Sequence, residues 1–199
     1  DGFFNLRELQ DGDLNIRPIV RSLQKPNGKS NFRMVIDEIE ASGLEFRYER
    51  LQHRNPTYGI DYYDMQITDI EGEFKKFTVD RGRVWCDITR LKARERSGFE
   101  ISNIATYFSV DIGEIYFENF VAETETSYIK VPELILKGVD WEDYKEYIDK
   151  VNMSGRVENS VISTYDLGFF APALNDSNPN ASEIDATFDG TVRDLEGEV

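Results

Sequence analysis

The sequence is poor in several things, and each shortage excludes a class of function. Cys86 is its only cysteine, so an internal disulfide and a cysteine-rich metal site are both ruled out. His53 is its only histidine. A histidine-dependent triad or a two-histidine metal centre would have to be built around that one residue. No apolar run approaches the roughly 20 residues that cross a bilayer as a helix, and no stretch reads as a signal peptide. Positive charge is scarce too: 23 Lys and Arg face 38 Asp and Glu, for a net charge of −15. The imbalance is concentrated in residues 101–199, where 6 basic side chains meet 20 acidic ones. Such a surface repels phosphate backbones, so nucleic acid is not an expected partner.

What the sequence does have is ring surface and alternation. Its 199 residues suffice for one large domain or two small ones, and include 13 Phe, 10 Tyr and 2 Trp. Rings of that number must meet a core, a groove or a partner. The dominant period is two. Leu44-Glu45-Phe46-Arg47-Tyr48 alternates cleanly, as do Val84 to Ile88, Phe108 to Ile112, Ile115 to Glu118 and Ile184 to Phe188. Ile129-Lys130-Val131 leads through Pro132 to Leu134-Ile135-Leu136. Alternation places one residue set on each face of a strand, so these are half-buried strands. Glycines at Ser42-Gly43, Tyr58-Gly59, Glu71-Gly72, Arg81-Gly82, Ser97-Gly98, Ile112-Gly113 and Lys137-Gly138 are expected to mark turns between them. The expected fold is all-β and mainly antiparallel: a strongly curved meander or sandwich-like sheet with two or three short helices.

Three stretches carry helix signals. Leu14 to Leu23 follows a cap at Asp13. Asp140 to Lys150 has an acidic first turn, with Trp141, Tyr144 and Ile148 on one face. Ser163-Thr164-Tyr165-Asp166 caps a short turn ending at Ala171-Pro172. Asn175 to Ser182 reads as an exposed loop. A faint repeat pairs Gly59–Met65 with Gly113–Phe120, and Ser42–Glu45 with Ser97–Glu100.

Chemistry-bearing residues do not form a constellation. His53 lies in a turn-like stretch without an orienting carboxylate or nucleophile beside it, and reads as a solvated loop histidine. Cys86 alternates with Val84 and Ile88 and reads as a buried structural thiol. Carboxylate pairs such as Asp61/Asp64, Asp111/Glu114, Glu123/Glu125 and Asp185/Asp189 stand in no motif. Arg90, Lys92, Arg94 and Arg96 fall on one strand face, opposite Leu91, Ala93 and Glu95. They read either as a contact for lipid phosphates or an acidic partner, or as a solvated strand edge protected by charge. No metal site and no cofactor motif is present, and no catalytic residue is expected. The apolar faces remain. They suit either an ordinary sandwich core or the lining of an open trough, and periodicity does not separate the two.

Family resemblance goes further. Asp11–Val20, a polar gap and then Phe32–Tyr48 resemble the "short helix, gap, strand, strand with a Phe/Tyr pair" unit of the AsmA/TamB superfamily of bacterial envelope proteins. Glu95–Ile104, Ile115–Thr124 and Ser163–Pro172 resemble the large TamB-type proteins of Bacteroidetes. The likeness covers residues 1–174 as one β-groove segment, with 175–199 as a loop and the start of the next strand repeat. It implies a periplasmic segment of an inner-membrane-anchored protein, with the anchor outside this segment. It implies an outer-membrane partner of the Omp85 class and a non-enzymatic role in phospholipid transport and outer-membrane assembly, with acyl chains held in an apolar groove. Under that reading, alternation parity makes Leu44, Phe46, Ile60, Phe108, Ile115, Phe117, Ile129 and Leu134 the groove lining. A one-residue slip of register would invert the assignment. The rival expectation is a secreted or surface β-sandwich binding module, an adhesin or glycan binder, presenting Tyr62, Tyr63, Tyr116 and Trp141.

Overall fold

The structure, a computed structural model, describes residues 2–18, 32–51, 58–140, 143–174 and 179–198, with residues 145 and 148 described by their backbone alone. His53 and Trp141 lie outside the described residues, as does the second half of the expected helix from Leu14 to Leu23.

Eleven strands form one open sheet. In chain order they are β1 (Gly2–Arg7), β2 (Arg33–Glu49), β3 (Asp64–Asp80), β4 (Arg83–Glu95), β5 (Glu100–Ile101), β6 (Asn103–Asp111), β7 (Glu114–Glu123), β8 (Tyr128–Lys137), β9 (Asn152–Ser163), β10 (Ala181–Gly190) and β11 (Leu195–Glu198). Neighbours in sequence are neighbours in the sheet, with β5 set aside as a short partner of β4. All pairings are antiparallel except β1 with β2, which is parallel. A meander of this kind follows from tight connections, since antiparallel strands need only a short turn between them. One two-turn helix, α1 (Thr164–Phe170), follows β9, and a helical stretch over 143–150, first a 3-10 turn and then an α turn, joins β8 to β9.

The sheet departs from the sequence expectation at several places. Arg81-Gly82, Ser97-Gly98 and Ile112-Gly113 do sit between strands, and Lys137-Gly138 ends β8. Ser42-Gly43 and Glu71-Gly72 instead lie inside β2 and β3, which therefore run to 17 residues each. Gly43 adopts a φ of 61°, where the ladder to β3 slips by a residue, so here the glycine makes a bulge rather than a turn. Gly72 is needed for space, because a Cβ there would stand 2.7 Å from the Phe74 ring. The apparent repeat dissolves in turn: Gly59–Met65 is mostly loop and Gly113–Phe120 mostly strand. Arg90, Lys92 and Arg94 stand on β4, an interior strand of the sheet, although Arg90 and Lys92 are paired with β3 alone, between the stretches of β4 that pair with β6 and β5. The helix expected over Asp140–Lys150 forms over 143–150, as a 3-10 turn followed by one α turn.

Substantial contacts between strands are confined to hydrogen-bonded neighbours among the described residues, and α1 contacts β9, the strand it follows. No second sheet lies over the first among the described residues. The buried apolar residues are accordingly few: Cys86, Phe99, Val131, Val151 and Phe169.

The sheet is nevertheless curved. Strands lie about 4.8 Å apart, so in a flat sheet β4 and β9, four places apart, would be separated by about 19 Å. Phe99, just beyond β4, and Phe169, just beyond β9, have ring centroids 5.5 Å apart. Tyr58, ahead of β3, stacks on the same Phe169 at 5.7 Å. Curling of the sheet, together with the reach of α1, brings these ends together.

Candidate functional site

The register assigns every strand residue to a face, because directly paired residues point the same way. One row runs Phe74, Ile88, Thr106, and the next Cys86, Phe108, Phe117, Leu134, Gly155, Phe188. A parallel row holds Val79, Val84, Val110, Ile115, Leu136 and Met153. Toward the other end of the strands, Phe4 pairs with Phe46, Phe46 with Ile67, and Leu44 with Ile70. Phe4 and Phe46 stack with centroids 5.9 Å apart, and Phe108 and Phe117 tilt together at 5.3 Å.

Strict alternation would not keep these residues on one face along such long strands. Left-handed residues inside the strands do. Asp69, Lys76, Asn119 and Asn159 adopt φ between 47° and 54°, a conformation that Asn and Asp tolerate better than most side chains. Across the first three the apolar step is three residues instead of two, Ile67/Ile70, Phe74/Phe77 and Phe117/Phe120, and across Asn159 the same step leads from Val157 to the buried Ser160. Gly43 does the same between Ala41 and Leu44. The Phe117 and Phe120 rings meet edge-on at 5.8 Å, so both lie on the apolar face.

Where these irregularities interrupt the ladder, side-chain hydroxyls complete it. Thr106 Oγ1 donates to the carbonyl of Glu118 at 3.0 Å. Ser160, 1% exposed, accepts from the Lys130 N–H at 2.8 Å and donates to the Glu158 carbonyl at 3.1 Å. Thr89 Oγ1 donates to the Glu73 carbonyl at 3.1 Å. Buried backbone groups left open would each cost about 1–3 kcal/mol, so these hydroxyls stabilise the bends.

Of the eight groove candidates, Leu44, Phe46, Phe108, Ile115, Phe117, Ile129 and Leu134 lie on strands and share this apolar face. Ile129 joins it through its pairing with Ala122, two residues from Phe120. All seven are half-buried. Ile60 is a correction: it sits in the loop before β3, where its N–H donates to the Phe169 carbonyl at 2.9 Å. It belongs to the contacts around α1, because β3 starts only at Asp64.

The opposite face is mixed: a row of Val35, Thr78, Trp85, Ser109, Tyr116 and Ile135 crosses it, and the rest carries ion pairs. Arg90 approaches Glu71 at 3.8 Å, Lys92 and Arg94 approach Glu100 at 3.9 and 2.6 Å, and Lys76 approaches Asp87 at 3.0 Å. Arg96 bonds Asp64 at 3.0 Å. The basic run is thus partnered by carboxylates of the chain itself. Glu95, on the apolar side, is buried and accepts from the Gln66 and Ser97 N–H groups at 3.3 and 2.6 Å. Cys86 is buried, and that burial, with Asp87 beside it, pushes its thiol above the usual value. It is therefore an unreactive protonated thiol at neutral pH.

One end of the strands is closed by the chain itself. Ser163 caps α1 by accepting from the Tyr165 N–H at 3.2 Å, as the sequence led one to expect. Around Phe169 gather Tyr58, Phe99 and Tyr165. Beside them Asp166 Oδ2 accepts from Thr124, Thr126 and Ser127 hydroxyls at 2.6, 2.8 and 2.5 Å. Nothing local in the sequence signals this cluster, since its partners are about 40 residues away.

A cavity of about 470 Å³ lies where the last residues of β2 and the first of β3 meet the 143–150 turn. Its walls hold Tyr48, Tyr62, Tyr63, Tyr144 and Tyr147, with Arg50, Met65, Glu146 and Asp149. In a flat sheet the 143–150 turn would sit at the far end of the strands from Tyr48, which is further evidence of the curvature. Burial raises the phenol pKa of Tyr48, Tyr62, Tyr144 and Tyr147 above the usual value, so these hydroxyls stay protonated at neutral pH. Sequence reading had Tyr62 and Tyr63 as exposed rings and Tyr144 as a helix face, and gave no sign that they converge.

Among the described residues no group of three or more His, Cys, Asp or Glu is placed to hold a metal ion, and no helix is long and apolar enough to cross a membrane. Compared with protein families, curated proteins and solved structures, the chain matches none.

Proposed function

We propose that this chain is a lipid-conducting segment of an AsmA/TamB-like envelope protein. In this reading it is non-enzymatic, lies in the periplasm, and belongs to a protein whose inner-membrane anchor is elsewhere. It serves phospholipid transport and outer-membrane assembly together with an outer-membrane partner of the Omp85 class.

One observation carries the reading. The apolar face runs from β2 to β10 with no second sheet over it among the described residues, while the ion pairs lie on the other face. A soluble sandwich would bury such a face against another sheet. Acyl chains laid along it are shielded from water at about 0.8 kcal/mol per buried CH₂. Headgroups stay in water at the open side. The rows of Phe108, Phe117 and Leu134 offer continuous apolar surface along which a chain slides without a fixed site, and a conduit of this kind needs no reacting group. The sandwich rival lacks its second sheet among the described residues.

The test is photocrosslinking in cells, in the full-length protein, with a probe at Phe117 and a control at Glu118. Phe117 stands on the apolar face and Glu118 on the opposite one. Lipid adducts at Phe117 alone are the expected result. Adducts at neither position overturn the reading, and adducts at Glu118 alone place lipid on the opposite face instead.

A further inference from the structure

We infer that the tyrosine-lined cavity between the β2–β3 end and the 143–150 turn binds a neutral saccharide. The site adjoins one end of the apolar face, where Tyr48 and Met65 continue the row of Phe46 and Ile67, and the inference stands whether or not the rest of that face carries lipid.

Five of the chain's ten tyrosines converge on this one cavity. Tyr62, Tyr63 and Tyr147 keep 38%, 41% and 37% of their surface exposed, so their rings are reachable from solvent. A phenol offers a flat apolar face and a hydroxyl at its rim. That combination matches a sugar ring, whose C–H face is apolar and whose edge is hydroxylated. At about 470 Å³ the cavity has room for one or two sugar rings.

Charge decides against the other ligand classes. Each ionic group in the wall already has its counter-charge. Arg50 approaches Glu8 at 3.4 Å and lies over the Tyr63 ring at 5.4 Å. Glu146 bonds Lys150 at 2.8 Å, and Asp149 bonds Arg193. An anionic or cationic ligand would gain no uncompensated partner. A quaternary ammonium, the usual guest of an aromatic cage, would also meet the Arg50 charge. Tyr144 already donates its hydroxyl to the Leu136 carbonyl at 2.9 Å, but an acyl chain would strip water from the other four hydroxyls and three ionic groups without replacing their hydrogen bonds. A sugar replaces them. An ionised carboxylate has about four acceptor positions, so Glu146 and Asp149 keep room for ligand hydroxyls beside their ion pairs.

The experiment is saturation-transfer NMR on the full chain with maltose, cellobiose, lactose and N,N′-diacetylchitobiose, and with phosphocholine as the charged comparison. The expected result is transfer to the ring C–H protons of at least one disaccharide. Tyr62→Ala combined with Tyr147→Ala should weaken that binding roughly tenfold or more, the scale of a tyrosine hot spot. Glu118→Gln, on the opposite face, should leave it unchanged. Should the double variant lose its far-UV circular dichroism, Glu146→Gln serves in its place: it keeps the rings, removes one acceptor, and should weaken binding several-fold. Transfer to none of the disaccharides overturns the inference, as does sugar binding that survives these variants. Stronger transfer to phosphocholine overturns it in favour of a cation cage.

Discussion

Two regions of this sheet solve the same problem in opposite ways. Around α1, the chain closes its own apolar surface: Phe99 and Phe169 are buried, and a carboxylate gathers three hydroxyls beside them. Along the rows of Phe108, Phe117 and Leu134, the same kind of surface stays half-buried, shielded only by in-plane neighbours. The difference shows where stability is held and where surface is left for something else. A residue at the closed end has protein on all sides, so its removal leaves a void. A residue on the open face has solvent or a ligand above it, so its removal leaves little.

The sharpest way to break this comparison is a pair of truncations. Phe169→Ala should destabilise the chain by about 4 kcal/mol, because a fully enclosed ring leaves a cavity. Phe117→Ala should cost about 1–2 kcal/mol, since transfer of a half-exposed ring is lost and no enclosed void forms. Urea denaturation of both variants is the measurement. Equal losses would mean that the open face is covered in solution, by a second copy or by a segment of the chain itself.

Asp166→Ala comes next, at about 3 kcal/mol. It strands the hydroxyls of Thr124, Thr126 and Ser127 in a partly buried site, and an unmet buried donor carries most of its desolvation cost. Ser127 also accepts from the Ser163 N–H at 2.9 Å, so the change should loosen α1 together with the 124–127 loop. Hydrogen exchange read at the Ala171 N–H, which bonds the Leu167 carbonyl at 2.8 Å, checks this. Unchanged protection there would mean that the cluster is decoration on an end held by Phe169 alone.

How much of this was legible beforehand follows from where each signal sits. The strands from Leu44 to Tyr48, Val84 to Ile88 and Ile115 to Glu118 were readable because alternation is local. The Ser163 cap was readable for the same reason. The two longest strands were not read at full length, because Gly43 and Gly72 carry the same letter in a bulge, at a ring contact or in a turn. The apolar face survived in the reading despite the bulges, since each left-handed residue shifts the pattern by one and the sequence shifts its apolar residues with it. Ile67/Ile70 and Phe117/Phe120 record that shift as steps of three. The Asp166 cluster and the tyrosine cavity join residues 39 to roughly 100 positions apart, and no local pattern encodes such meetings.

The smallest effect is the acid response of the closed end, and it tests whether that end is clamped as well as filled. Asp64 is buried at the start of β3. Burial alone would raise its pKa, but the Arg96 hydrogen bond and charge, with Arg47 behind them, hold the carboxyl below the usual carboxylate value. Arg96 also donates to the Asp64 carbonyl at 2.6 Å, tying the turn after β4 to β3. A carboxyl whose folded pKa lies below the unfolded value of about 3.9 stabilises the fold fully above that value. The contribution is lost as pH falls through the folded value. Arg96 is partly exposed, so water screens the pair and its worth is about 1 kcal/mol. Asp64→Asn should therefore lower stability by about that amount at pH 7 and flatten the acid limb below pH about 4. In the unaltered chain, acid should reduce protection at the Gly98 N–H, which bonds the Glu95 carbonyl at 2.9 Å, before it reduces protection in the β6–β7 hairpin. Simultaneous loss in both places would show that the closed end and the open face unfold as one unit.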